Sequence, residues 1–396
     1  MQIISRYRWL MEPQKYKIVF CTPAIYSAGG VERVVTCKAN YFAEKFDYDV
    51  TIIVTEGHDR ASFFPLSSKV RVVNLSIGFE ELWKKPFFRK VSLYLRKQYR
   101  YRKELEKTLI NIHPDIVIST LRREINFIYK VRDGSIKIGE LHLSRSNYRR
   151  MEISSSSFIK YLFSKWWTND IVGHLRRLDR FVVLTENAVA EWPELNNITM
   201  IPDPLVIVVK EKKRLDSKRV IAVGRYSYEK GYDMLLRIWA IVEKKCVDWR
   251  LEVYGMGDPT PYVKLMTELS IDKRRCHLNA SLSDVSKLYP KSSVLVQPSR
   301  FEGFGLVTVE AMAFGLPVVA FDCDNGPRTI ISDGSEGFLV APFDEKQFAC
   351  RILELINDEQ KRINMGNAGR VKAQQYRLDK ISLQWKSLFD ELVKDR

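Results

Sequence analysis

The sequence predicts an α/β protein made of two parallel-sheet domains, and three observations carry that expectation. Its 396 residues exceed what one hydrophobic core usually serves. Short, apolar, β-branched runs alternate with longer segments of helical period, which is the pattern of βαβ units. The alternation breaks at a stretch rich in proline and charge, 203–218, and then starts again.

In chain order, KIVFCTP (17–23) reads as a first buried strand and, after a glycine-bearing loop, VERVVTCKANYFAEKF (31–46) as a helix. DVTIIVTE (49–56), VRVVNL (70–75), DIVISTL (115–121), KIGELHL (137–143) and RFVVLTE (180–186) continue as strands. Beyond the linker, RVIAVGR (219–225) is a strand, YDMLLRIWAIVEKK (232–245) a helix and WRLEVYG (249–255) a strand. CHLNAS, SVLVQPS and PVVAFD supply further strands, and 348–358 and 381–394 further helices.

Composition excludes several classes. Hydrophobic residues at 45% and charged residues at 28% describe an ordinary globular protein. The six cysteines (21, 37, 246, 276, 323, 350) form no CxxC pair, which argues against a metal cluster or disulfide framework and fits a reducing cytoplasm. No run approaches the roughly 18 apolar residues of a membrane span. The basic N-terminus lacks the apolar core and cleavage site of a signal peptide.

Net charge is +16 and uneven: residues 1–209 hold 33 Lys and Arg against 22 Asp and Glu. The excess is densest at 84–107, with ten basic residues opposed by Glu104 and Glu106 alone. Such asymmetry points to an anionic partner for the first half.

Ligands bind beyond the carboxyl ends of the strands in open parallel sheets, so those loops carry the candidate chemistry. Ser27-Ala28-Gly29-Gly30-Val31-Glu32 places two glycines before a helix N-terminus, where a phosphate or sugar hydroxyl can approach the backbone; a plain tight turn would look the same. Gly224-Arg225 followed by Lys230-Gly231 sets two cations over one helix start, an arrangement that suits a diphosphate. Two solvated surface cations would leave the same trace.

The third loop runs from Ser299 to Ala313 and holds Glu302 and, eight residues later, Glu310. That spacing is about two helical turns and puts both carboxylates near one face. The helix around Glu310 is otherwise small and apolar, so its carboxylate needs a polar partner. One carboxylate can accept from sugar hydroxyls while the other grips a ribose diol.

E-G-F-G-L-x-x-x-E, preceded by P-S and followed by A-M-A-x-G-x-P-V-V-A, resembles the EX7E signature of retaining family 4 glycosyltransferases, which have the GT-B fold. G-R-x-x-x-x-K-G at 224–231 resembles that family's diphosphate loop, LEVYGMGD at 251–258 its element near the nucleobase, and GPRTIISDGSEGFLV at 326–340 its post-signature loop. The likeness is strong over 219–345, fair for Gly29-Gly30-Val31-Glu32 and faint between 60 and 180.

The resemblance implies roles residue by residue. Arg225 and Lys230 neutralise the leaving diphosphate, Glu310 binds the ribose and Glu302 the transferred sugar. The amides of Phe304, Gly305 and Leu306 touch sugar and phosphate, Gly30 reaches the phosphate from the opposite domain, and Gly255 lies near the base. A first-domain histidine near the anomeric centre is implied, and His142 is the best placed. Asp203 departs from the family's usual Asn-Pro.

The family implies no metal and no cofactor beyond its nucleotide-sugar substrate, and the chain has no His/Cys ligand cluster. The implied architecture is two Rossmann-like domains across a cleft: 1–205 for the acceptor, 206–375 for the donor, and a helix at 376–396 crossing back. A UDP-hexose or UDP-N-acetylhexosamine is the implied donor, and a glycan or polyprenyl-diphosphate-linked acceptor the implied partner.

PFFRKVSLYLRKQYRYRKELEK (86–107) interleaves aromatic and aliphatic residues with cations, including Arg96 and Lys97. It suits an anionic lipid surface on the inner face of the plasma membrane, or else a solvated helix face. Arg145 and Arg149 extend the basic surface toward an acceptor. A nucleic-acid-binding protein and an NAD-dependent oxidoreductase are the alternatives; the first lacks any recognition motif and the second lacks GxGxxG.

Overall fold

A computed structural model describes residues 14–58, 60–82, 86–145, 170–207, 209, 217–282 and 284–396. Among these, the first half forms a seven-stranded sheet: β1 (Lys17–Thr22), β2 (Asp49–Val54), β3 (Val70–Asn74), β4 (Ile116–Ser119), β5 (Ile136–Leu141), β6 (Arg180–Val183) and β7 (Ile198–Met200). The second half forms a six-stranded sheet: β8 (Arg219–Val223), β9 (Arg250–Gly255), β10 (Cys276–Ala280), β11 (Val294–Gln297), β12 (Val318–Phe321) and β13 (Gly337–Val340). The helices are α1 (Gly30–Lys45), α2 (Phe87–Ile112), α3 (Glu186–Ala190), α4 (Tyr232–Val242) and α5 (Thr260–Glu268), then α6 (Leu306–Ala313), α7 (Pro327–Ile330), α8 (Glu345–Asn357), α9 (Glu359–Ala373) and α10 (Leu378–Lys394).

All the described strand pairs are parallel. The orders are β3-β2-β1-β4-β5-β6-β7 and β10-β9-β8-β11-β12-β13, so each half is a Rossmann-like doubly wound sheet. Parallel strands covered on both faces must be apolar on both, which is why the runs read as continuous rather than alternating. In β1, Val19 and Cys21 enter one core while Ile18 and Phe20 enter the other. In β8, Val220 and Ala222 divide in the same way from Ile221.

The last helix belongs to the first half's core. Ile381, Trp385, Leu388 and Phe389 of α10 pack with Phe20 and Phe42, and the Phe389 and Phe42 rings meet edge-on at 5.7 Å. The chain returns along a bridge between Leu205 and Arg377.

Several elements went unread in the sequence, the short helix α3 among them. β7 has only three residues. α5 was passed over between two strands. α9 lacks an apolar stripe because it packs through glycines: a Cβ on Gly366 would lie 2.1 Å from the Gly315 carbonyl oxygen, and one on Gly369 would lie 3.3 Å from Met312. The run 326–340, read as a loop, holds α7 and β13. No described helix is long and apolar enough to cross a membrane.

Candidate active site

Strand order reverses between β1 and β4 in one sheet and between β8 and β11 in the other. Helices leave opposite faces at such points and open a crevice beyond the strand ends. The loops after β1, β5, β8 and β11 converge there.

Gly231 closes the loop after β8 with φ at 65°, and a Cβ on it would lie 2.0 Å from the Pro298 carbonyl oxygen in the loop after β11. Only glycine lets those two loops touch. The contact delivers Lys230 to Glu302, Nζ to Oε1 at 2.6 Å. Ser299 Oγ at 2.6 Å and Gln297 Nε2 at 2.9 Å donate to the same oxygen. Burial pushes the Glu302 carboxyl up, but the Lys230 charge and these hydrogen bonds outweigh it and hold the group below its ordinary value.

Glu310, on α6, is 1% exposed and meets other partners. Arg33 of α1 reaches across from the first half, Nη1 to Oε1 at 2.6 Å, and Tyr289 donates to Oε2 at 2.7 Å. Burial dominates here and raises the carboxyl, with Arg33 and Tyr289 opposing it. The two glutamates therefore do not share a partner. Each has its own cation, one from each half.

Gly305 precedes α6 with φ at 99°. Phe304 buries its ring against Tyr376 at 5.5 Å, so its side chain is a core group. Leu306 Cδ1 lies 3.5 Å from where a Cβ on Gly30 would stand, so the first residues of α1 and α6 are neighbours. Gly255 ends β9, where a Cβ would lie 2.2 Å from the Gly224 carbonyl oxygen, and it borders a cavity of about 260 Å³ lined also by Tyr226, Met256 and Asn279.

Other expected site residues have partners of their own. Arg225 is 61% exposed and pairs with Glu229 at 2.9 Å. The His142 imidazole, one residue past β5, is held between two carboxylates. It is 6% exposed, with Nδ1 3.4 Å from Asp203 and Nε2 3.6 Å from Glu140. Burial lowers its pKa, but the two carboxylates outweigh that and push it up to about 9. Glu140 is bonded in turn by the buried Lys38, to Oε2 at 2.5 Å, and its carboxyl falls to about 2 because Lys38 and His142 outweigh burial. What His142 presents to the second half is backbone: a Cβ on Gly303 would lie 2.0 Å from its carbonyl oxygen.

Ligating atoms of Glu140, His142 and Asp203 lie within 4.8 Å of one another, the one such trio among the described residues. Lys38 already supplies its cation. Arg145 pairs with Glu194 at 2.9 Å and lies over Trp192 at 4.5 Å. Lys97 caps the Ile77 and Gly78 carbonyls. Arg96 is exposed on α2. Arg149 lies outside the described residues.

Sequence reasoning missed Arg33, Tyr289, Lys38 and Glu140. Lys38 alone left a usable signal, a cation at a position the helical period marks as buried. Asn325 was also missed; it bonds Glu191 at 2.5 Å and so joins the halves.

Residues 206–372 match the family model of glycosyl transferases group 1. An uncharacterized glycosyltransferase of Haemophilus influenzae is 29% identical over 383 residues, covering 94% of this chain and 99% of that one. The amylovoran biosynthesis glycosyltransferase AmsD of Erwinia amylovora is 33% identical over 178 residues, 43% of this chain and 48% of the other. A mutant of S. aureus TarM, crystallised with fondaparinux, alpha-GlcNAc-glycerol and UDP, aligns with TM-score 0.75 at 16% identity over 94% of this chain and 99% of that one. Two Rossmann-like domains of this kind are the GT-B architecture, and the chain is a glycosyltransferase of that fold.

Proposed function

We propose that this chain is a retaining family 4 hexosyltransferase with an EX7E donor site. It moves a hexose or N-acetylhexosamine from a UDP-sugar to a glycan or polyprenyl-diphosphate-linked acceptor in surface polysaccharide synthesis. The observation that carries this is the pair of buried glutamates eight residues apart, each held by its own cation.

Lys230 meets the leaving diphosphate once donor hydroxyls take its place on Glu302, and the exposed Arg225 swings from Glu229 to join it. Glu310 accepts the ribose diol. The neighbouring helix N-termini at Gly30 and Leu306, with the amides of Phe304 and Gly305, add fixed positive ends. The cavity beside Gly255 takes the base. Cations and dipoles meet the developing charge without a metal, and His142 holds the backbone wall of the sugar pocket. UDP in the TarM structure supports the donor class, and the AmsD name supports the pathway.

The first half takes the acceptor at an anionic membrane surface. On α2, Val91, Leu95 and Tyr99 stand exposed at every fourth position, and Arg96 and Arg100 are exposed beside them. An apolar stripe bordered by cations suits lipid headgroups on the inner face of the plasma membrane.

Thermal midpoints measured with a panel of nucleotide sugars test the donor reading, because a true donor binds the native state and raises the midpoint. Lys230→Ala and Glu310→Ala should each lose most transfer activity while staying folded. Near-normal turnover in both sinks the assignment. The anomeric configuration of the product, read by NMR, tests retention.

A further inference from the structure

The inference here rests on the donor reading above and adds a residue to it. Arg33 stands one turn into α1, past the Gly29-Gly30 turn, and its guanidinium crosses to Glu310 in the opposite half at 2.6 Å. The pair is lopsided: Glu310 is 1% exposed and the Arg33 side chain 21%. A solvated ion pair would contribute little. A buried carboxylate is different, because the cation is what makes its burial tolerable.

Glu310 engages only part of that guanidinium. The group carries five N–H donors in a rigid fork, and among the described residues Glu310 is the one acceptor hydrogen-bonded to it. Phe64 supports the group from the side, its ring centre 5.7 Å from the guanidinium carbon. The acid nearest the start of α1, Glu32, is folded back onto Ser27 Oγ at 2.7 Å, so it does not compete for Arg33. Beside Arg33 the first residues of α1 and α6 are neighbours, with Leu306 3.5 Å from the Cβ position of Gly30. Two helix starts and a partly unused guanidinium fork therefore border one spot on the cleft wall.

We propose that Arg33 is a donor-binding residue delivered from the opposite half. Glu310 holds the guanidinium so that its remaining N–H donors meet the phosphates of a nucleoside diphosphate lying between the two helix N-termini. Because the pair spans the cleft, the same contact couples donor binding to the apposition of the halves. Tyr289 keeps the other Glu310 oxygen in place, and spare lone pairs on the carboxylate still accept the ribose hydroxyls.

The test is the dissociation constant of UDP and of uridine for the wild-type chain, Arg33→Ala and Arg33→Lys, with thermal midpoints recorded for each. Arg33→Ala should weaken UDP about tenfold or more beyond any loss for uridine, as loss of a charge-assisted contact to phosphate requires. Arg33→Lys keeps a cation beside Glu310 and so keeps the fold; with a point charge in place of the fork it should weaken UDP about threefold while sparing uridine. Equal losses for UDP and uridine would make Arg33 only a support for Glu310 and overturn the proposal. Unchanged UDP affinity in both variants overturns it too. A wild-type chain that binds neither compound overturns the donor reading itself, which separates the two failures.

Discussion

At the residue scale, the first half is organised around buried charges that balance one another. Lys38, Glu140, His142 and Asp203 form a chain of alternating sign from α1 to the interdomain segment, and Lys38 also lies over the Trp385 ring at 4.4 Å. With aspartate at 203 the group is neutral only when His142 is protonated. Its pKa of about 9 lies above the unfolded value near 6.5, so its contribution to stability is complete below pH 6.5 and fades as pH rises through 9. The shift corresponds to about 3 kcal/mol. Urea-unfolding free energies of the wild-type chain should fall by about that amount between pH 6 and 10, relative to His142→Gln. Parallel pH profiles in the two proteins would refute the linkage. Glu140 has the opposite sign: its carboxyl, lowered to about 2, adds stability above its unfolded value near 4.5 and loses it as the medium is acidified toward pH 2.

At the element scale, α2 shows how much of a helix the sequence can disclose. The basic run was visible, and with it the expectation of an anionic partner. The division of its surface was not, because charge and apolarity alternate too quickly to assign a face by eye. In the fold, Tyr101, Leu105 and Leu109 turn into the core while Leu95 and Tyr99 turn out, each 63% exposed. Reversing Arg96 and Arg100 to glutamate should weaken binding to phosphatidylserine vesicles by at least about 30-fold at low salt, taking about 1 kcal/mol per cation removed. Flotation measures it, and vesicle binding equal to wild type would leave α2 a solvated face. α9 teaches the complementary lesson. Its seat on α6 depends on Gly366 and Gly369, residues that carry no apolar signal.

At the scale of the whole molecule, α10 closes the chain on itself. It follows the second half in sequence but fills the core of the first half, with Trp385 and Phe389 fully buried. Trp385→Ala should cost about 3–5 kcal/mol, in line with large-to-small changes in a packed core. The loss should appear as earlier exposure of the first half in hydrogen exchange. Uniform loss across both halves would instead mean that they unfold as one unit.

The strands were legible because parallel strands covered on both faces must be apolar throughout, and Ile18 to Cys21 or Val318 to Phe321 allow no other reading. Lys230, Glu302 and Glu310 were legible because a strand end, a glycine turn and a fixed spacing are local features. The cations of Glu310 and Glu140 were not, since Arg33 lies 277 residues from Glu310 and Lys38 lies 102 from Glu140. Nothing local distinguishes a lysine that will be buried with a partner from one that stays in water. By itself, then, the sequence determined two doubly wound sheets and the loops that carry the candidate site, because periodicity and turn chemistry act over a few residues. Only the tertiary structure decided which charge meets which. Burial makes an unpaired charge too costly to keep, and burial belongs to the assembled fold and not to any one segment.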